Sequence, residues 1–577
     1  MRTVTLKMSV SEDIVRIVEQ ACESKVSADE IRDSPVADFG CSVAFRLAKE
    51  RGKSPKDVAR ELADKIKPVG LIDRVEAVNG YLNFHLNYAE FTRKVLEEIR
   101  QPGAEYGRGE RKKEKIILEH TSVNPTGPVH VGRLRNTIIG DSLRRILGFG
   151  GYEVETHYYV NDIGKQVAII ALGLKQIINP DEDAIREYAK YKDREDFQIF
   201  FTYVMANRMF EEDSDFQSSV QELIQHAEAE DLSSLEDITS AARRCLEGQR
   251  KTFERLGVKF DFFDFESDDL RMGDVGDILE KLEKSEYARE GEIGFGLDLS
   301  SFGIVKQGGL SVLRRKDGTS VYLSRDIAYH VKKAGLGDKL INVLGEDHKL
   351  EAVEVKIILE KILGVKTPIE IVHFSFVSFE GEKFSTRRGK IAAAEVLLDE
   401  AVEKAGEEIK KRGIADESIA PIIGVGAVKF GIIKIAPTKP ITFKWAEALN
   451  FEGETAPYIQ YAHARSCRIL EKAGVSVESI RPDEISLNLE NDEERRLVKA
   501  LAEFPQRVDE AVCTLRPDII ATYLLKLTSA YGGFYMKCPV LDAEDKVKKR
   551  RLLLVNATKN TIKKGLELLG IESPERM

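Results

Sequence analysis

One junction constrains this chain more than any other stretch: residues 119–133, Glu-His-Thr-Ser-Val-Asn-Pro-Thr-Gly-Pro-Val-His-Val-Gly-Arg. It follows a short apolar run, Lys115 to Leu118, and opens a pattern in which Leu134, Ile138, Ser142 and Ile146 recur at one-turn spacing. Strand, loop and helix are predicted in that order. The Pro125/Thr126/Gly127/Pro128 cluster forces the loop, and Gly132 lets another group approach the backbone closely. The helix that follows starts with free N–H groups and a positive dipole end, so the junction predicts a phosphate site.

The same unit recurs. Tyr152–Val160 precedes a helix from Asp162, Leu340–Leu344 precedes a helix from His348 to Leu363, and Ile369–Val377 closes the series. Such alternation predicts a parallel sheet with helices on its faces. Between about 176 and 322 the chain is first polar, acidic and helical, then reads as hairpins around an Asp317-Gly318 turn, so this stretch is predicted as an insertion. Residues 1–110 read as a small α/β unit, with helices near Glu12 to Ser24, over Phe39 to Arg51 and after the Ser54-Pro55 cap, and with an alternating strand from Asn79. From residue 450 onward only the helical period remains, and Val547, Leu554, Thr558, Ile562, Leu566 and Leu569 form one stripe. The expected fold is an α/β multidomain protein: a small N-terminal α/β domain (1–110), a Rossmann-type parallel-sheet core with its insertion (111–449) and an all-helical C-terminal domain (450–577).

Composition narrows the class. A chain of 577 residues exceeds one core, and 42% hydrophobic with 32% charged residues describes a globular protein. Six cysteines without a C-x-x-C pair exclude a zinc ribbon and a disulfide framework, and predict reduced thiols in a cytosol. Met1 to Lys7 has no apolar leader, and the longest apolar run, near Val167 to Leu174, is too short to span a bilayer. A net charge of −10 does not advertise a nucleic-acid binder, yet Lys546-Val-Lys-Lys-Arg-Arg551 with Lys559, Lys563 and Lys564 reads as a basic helix face.

His130 and Gly132 match the His-x-Gly element of class I aminoacyl-tRNA synthetases; Arg133 stands where the commoner motif has a second histidine. With Ser122, Asn124 and Pro125 upstream and Leu134-Arg135-Asn136-Thr137 downstream, the string resembles the arginyl-tRNA synthetase family in particular. Lys383-Phe-Ser-Thr-Arg-Arg-Gly-Lys390 is similar to the K-M-S-K-S loop of these enzymes, with Phe384 for Met and the second cation displaced to Arg387 or Arg388. The run from Asn450 to Arg465 is also typical of the family.

The resemblance implies arginine activation by ATP, with Mg²⁺ on the nucleotide and no protein-bound metal, followed by transfer to the terminal ribose of tRNA. It places ATP on Pro128, Val129, His130, Val131, Gly132, Arg133, Lys383, Phe384 and Ser385, with His130, Arg133, Lys383 and Arg387 acting on the phosphates. Arginine falls to Glu119, Ser122, Asn124, Tyr322, Asp326 and to His348, where many relatives carry glutamine. Chemistry agrees with carboxylates here, because only a planar acceptor pair matches the guanidinium fork. The N-terminal domain is expected at the tRNA elbow, the helical domain at the anticodon, and Lys546, Lys548 and Lys549 on the tRNA. Arg135 reads as a solvent-facing neighbour of Arg133. A cytoplasmic monomer is expected. The alternatives are a non-catalytic tRNA-binding paralogue or another class I synthetase; a cysteinyl enzyme would need a thiolate zinc site that these scattered cysteines do not build.

Overall fold

The computed structural model describes residues 6–100, 105–228, 231–271, 274–306, 308–379, 391–414, 416–482 and 485–577. At its centre lies a five-stranded parallel sheet in the order Ile369–Phe374, Lys339–Gly345, Lys115–Glu119, Glu153–Val160, Phe262–Phe265. The chain leaves the middle strand to one side, then returns to fill the other, which makes Lys115–Glu119 the switch point. In such sheets ligands bind beyond the carboxyl ends of the strands at that point. The apolar runs seen in sequence are buried on both faces: Ile116, Ile117, Leu118, Leu340, Ile341 and Val343 are at most 1% exposed.

Two strand predictions are corrected. The stretch 176–322, read as pure insertion, contributes Phe262–Phe265 to the sheet itself, as an edge strand beside Glu153–Val160. Four residues with Phe262 half-exposed carry too little period-two signal to be seen. The rest of the stretch is helical (Glu182–Glu187, Glu195–Glu212, Ser214–Glu228, Leu232–Arg255) and then an antiparallel sheet of Ala288–Glu290, Gly294–Leu297 and Ser311–Arg315. Its turn is the one read from sequence: Gly318 has φ 88° and Asp317 Oδ1 accepts from Thr319 N at 2.9 Å. The strand read as Ile369–Val377 ends at Phe374, where Ser375 N donates to Pro437 O, and Val377–Phe379 pairs separately with Ile441–Phe443.

Residues 31–86 form an antiparallel sheet in the order Ile31–Asp33, Phe39–Cys41, Tyr81–Leu86, Ile72–Val78. Phe39–Cys41, predicted as helix, is a strand, and the helix starts at Val43. Ser54 caps the next helix by accepting from Asp57 N at 3.2 Å, with Pro55 in its first turn.

Beyond residue 455 the described chain is helical, ending in the 24-residue helix Asp545–Leu568. The stripe read from sequence is its core side: Leu554, Thr558, Ile562 and Leu566 are 0% exposed. The basic face is narrower than expected. Arg550 and Arg551 are buried and both bind Glu494, Arg551 Nε at 2.9 Å and Arg550 Nη2 at 3.3 Å. This helix packs against Tyr88–Arg100, Val131–Phe149, Ala456–Ala473, Asp492–Ala502 and Asp518–Lys537, so few of its faces are open to solvent.

Candidate active site

The helix Val131–Phe149 starts at the carboxyl end of the switch-point strand, and His130 is its N-cap. His130 Nδ1 accepts from Gly132 N at 3.0 Å, which leaves the ring proton on Nε2. A Cβ on residue 132 would stand 3.1 Å from Nδ1, so glycine gives the imidazole its seat. Burial holds the His130 pKa below the usual imidazole range, and the Arg133 guanidinium lowers it further. His130 is thus a neutral imidazole with its proton on Nε2 at a helix N-terminus. Val129 and Val131 are buried and their main-chain groups bond the segment after the second phosphate motif: Ala394 N to Val129 O at 2.7 Å, Val131 N to Ala392 O at 2.8 Å. Pro128 is buried as well. Lys383, Phe384, Ser385 and Arg387 lie outside the described residues.

The strand end before this loop is strained. Thr121 and Ser122 have φ of 75° and 40°, conformations that cost about 1–3 kcal/mol each in residues with a Cβ. They are held by Asn136 Oδ1, which accepts from Thr121 N at 2.9 Å, while Asn136 Nδ2 donates to Val343 O at 3.0 Å. The turn directs Ser122 Oγ back to Glu119 Oε1 at 3.2 Å, and the same oxygen accepts from Tyr159 N at 3.1 Å. Asn124 is exposed and donates to Gln166 Oε1 at 3.4 Å.

Tyr322 and Asp326 open the helix Tyr322–Ala334 one turn apart, as their spacing predicts. The first turn is anchored by Arg325, which is buried and pairs with Glu266 at 2.6 Å and with Ser320 Oγ at 2.9 Å. Tyr322 is exposed, and its hydroxyl lies 3.3 Å from where a Cβ on Gly164 would stand. The Asp326 side chain is 35% exposed and its Oδ1 is 2.9 Å from His330 Nδ1. Burial raises the Asp326 carboxyl, but His330, Lys333 and His348 together outweigh it and hold the pKa below the usual carboxylate range. His348 follows the strand Lys339–Gly345; its hydrogen bond to Glu351 at 3.1 Å raises its pKa, which burial and Arg133 oppose. Arg133 therefore acts on His130 and on His348, and His348 acts on Asp326. The His130 loop and the Asp326 carboxylate are thus linked electrostatically through His348.

Some placements differ from expectation. Arg135 does not face solvent: it is 0% exposed and donates to Ser375 O at 2.7 Å and Ala436 O at 2.9 Å, its pKa lowered by burial to about 10. It ties the helix of the phosphate loop to the chain that leaves the last sheet strand. Lys546 is exposed, Lys548 and Lys549 are half-buried, and Lys549 pairs with Asp545 at 2.8 Å. Sequence reading missed Asn161 and Gly164 beyond the strand Glu153–Val160, although their place at a strand end next to the switch point is the available signal. It also missed Lys333, whose ammonium sits on Glu119 Oε2.

Strand order, capped helix and carboxylates at the strand ends are those of a nucleotide-binding Rossmann unit, and a family model described as tRNA synthetases class I (R), catalytic domain, matches residues 96–445. The Arginyl tRNA synthetase N terminal domain matches residues 5–86, and the DALR anticodon binding domain matches 459–577. The chain is 42% identical to an arginine–tRNA ligase of Methanocaldococcus jannaschii, over 99% of this chain and 98% of that one. It is 41% identical to one of Methanocella arvoryzae, over 99% and 100%. Arginyl-tRNA synthetase of Thermus thermophilus superposes with a TM-score of 0.77 at 27% identity, covering 98% of this chain and 100% of that one. The chain belongs to the arginyl-tRNA synthetase family.

Proposed function

We propose that this chain is an arginine–tRNA ligase acting in two steps. The arginine carboxylate attacks the α-phosphate of ATP and pyrophosphate leaves; a terminal ribose hydroxyl of tRNA then attacks the adenylate carbonyl and AMP leaves. Neither step needs a protein nucleophile, so catalysis rests on positioning and on donors aimed at developing phosphate charge. The supporting observation is the convergence of a helix N-terminus, capped by a neutral histidine, with Glu119 and Asp326 at one end of the switch-point strand. His130 Nε2–H and the helix start face phosphate oxygens, Arg133 adds a permanent cation, and Asp326 with the Tyr322 hydroxyl takes the guanidinium, with Glu119, Ser122, Asn124 and His348 around the amino acid. Mg²⁺ accompanies the triphosphate. In this reading Lys383 and Arg387 add cations from the second loop, and the protein works as a monomer in the cytosol. Arginine-dependent ATP–pyrophosphate exchange, with and without tRNA, tests the whole: no exchange with arginine under either condition would sink it.

Two surfaces of the helical domain suit tRNA. A groove is lined by Tyr458, Tyr461, Arg465, Arg468, Tyr531 and Arg576. Arg465 lies 4.6 Å from the Tyr461 ring centroid and 4.3 Å from that of Tyr535, a stack of cation and rings that suits unpaired bases. Tyr461→Ala is expected to weaken tRNA binding by about 1–3 kcal/mol, the range for one stacked base, read as a shift in Kd by fluorescence anisotropy. The second surface is Lys546, Lys548 and Lys549. Each lysine–phosphate pair that an alanine substitution removes lowers the slope of log affinity against log salt by about 0.9 at most, with Lys549 contributing least because Asp545 already holds it. An unchanged slope returns these lysines to solvent.

A further inference from the structure

We infer that Lys333 is the counter-cation of the arginine pocket, a positioning residue that leaves the pocket with one net negative charge, and that Asn342 and His330 link it to Asp326. The inference rests on the reading of Glu119 and Asp326 as arginine ligands. The Lys333 side chain is 1% exposed. Its ammonium meets Glu119 Oε2, stands 3.2 Å from Asn342 Oδ1 and lies 4.3 Å from the centroid of the Tyr329 ring. Three acceptors thus surround a group with three N–H bonds. Asn342 Nδ2 donates to His330 Nε2 at 2.7 Å, which leaves the His330 proton on Nδ1, 2.9 Å from Asp326 Oδ1. Glu119, Lys333, Asn342, His330 and Asp326 thus form one continuous polar chain.

Charge gives this chain its consequence. Two carboxylates around one guanidinium leave a surplus negative charge, and like charges that share a pocket favour uptake of a proton there. Lys333 cancels the surplus, so the pocket matches one monovalent cation. Other groups here are already committed. His157, beside Glu119 in the next strand, binds Asp264 at 2.6 Å, and Tyr329 OH donates to the same carboxylate at 2.6 Å; Lys332 also acts on Asp264. Ser122 hydrogen-bonds Glu119 and is uncharged. On the ATP side, His348 is set against Glu351 and Asp347, and Arg133 opposes its charge.

The test is the pH dependence of the arginine KM. In Lys333→Met the surplus charge draws a proton into the pocket, onto a carboxyl or onto His330, which touches both Lys333 and Asp326. The arginine KM of the variant relative to wild type therefore changes with pH between about 6 and about 8.5, while the ATP KM keeps the wild-type profile. His348 titrates in both proteins and cancels in the ratio. Arginine binding by the variant is coupled to a proton step that the wild type lacks, measured by calorimetry in buffers of different ionisation enthalpy, and Lys333→Arg restores the wild-type profile. Lys333→Gln, which keeps a donor and loses the charge, gives the same profile as Lys333→Met and carries the test should the methionine variant fail to fold. A ratio that stays flat with pH in Lys333→Gln, while Glu119→Gln raises the arginine KM, overturns the role of Lys333 alone. An unchanged arginine KM in Glu119→Gln overturns the pocket assignment beneath it.

Discussion

Replacing His130 by alanine is expected to slow arginyl-adenylate formation by roughly 10²–10³, the usual loss for one preorganised donor, in a single-turnover assay at saturating arginine and ATP. The residue has two separable roles. Its Nδ1 caps the helix through Gly132 N, and a lost cap costs about 0.5–2 kcal/mol of stability. In the proposed mechanism its Nε2–H serves the phosphate. His130→Asn separates them, since asparagine is a good N-cap but is too short to replace Nε2–H: it is expected to keep the thermal midpoint near wild type and still lose most of the rate. The pH profile follows from the lowered pKa. A histidine harder to protonate when folded contributes stability that is complete above the usual imidazole range and falls as pH drops through it toward the lowered folded value. Protonation of Nδ1 also removes the acceptor for Gly132 N. Activity should therefore show no His130 step near neutral pH, and a midpoint unaffected by His130→Ala together with a normal adenylation rate would falsify both roles.

What the sequence disclosed tracks how local each cause is. The loop that ends in His130 and Gly132, the helix after it, the Ser54 cap and the Asp317-Gly318 turn are set by neighbours within a few residues, and they stand where they were read. The central strands Lys115–Glu119 and Lys339–Gly345 carried apolar runs because both of their faces are covered. Phe262–Phe265, four residues at an edge, was too short to be told from its surroundings. Long side chains were misread when their partners were remote. Arg135 looked like a surface cation and caps carbonyls more than 200 residues away, with separations of 240 and 301. Arg550 and Arg551 looked like part of a basic face and meet Glu494 in the bundle interior. Of the residues proposed for the arginine pocket, the carboxylates and the tyrosine were named from motif position, but Lys333 lies 214 residues from Glu119, and no pattern in either segment announces the pair.

Asp326→Asn is expected to raise the arginine KM by two orders of magnitude or more while leaving the ATP KM near wild type. Arginine and lysine carry the same charge at similar reach, so one carboxylate at a distance separates them poorly. A carboxylate that receives the guanidinium as a fork separates them by geometry, because both oxygens are filled by arginine and fewer by an ammonium. In the structure His330 decides how an asparagine at this position would sit. His330 Nε2 is committed to Asn342 Nδ2, so Nδ1–H faces residue 326, 2.8 Å from its main-chain carbonyl and 2.9 Å from Oδ1. An introduced asparagine keeps the side-chain contact to His330 only through its amide oxygen, which turns its NH₂ group to the substrate, donor against donor. The variant thus loses the charge and both prongs of the fork, at about 1.5–3 kcal/mol for each hydrogen bond to a charged group, which corresponds to roughly 10²–10⁴ in KM. Tyr322→Phe removes one neutral hydroxyl, whose Gly164 neighbour keeps the ring seat open, and should cost only about 0.5–1.5 kcal/mol. Arginine and canavanine activation, measured by pyrophosphate exchange in both variants, checks the order of the two effects. Wild-type arginine KM in Asp326→Asn would move the selecting contact to Glu119, the remaining carboxylate at the end of the switch-point strand.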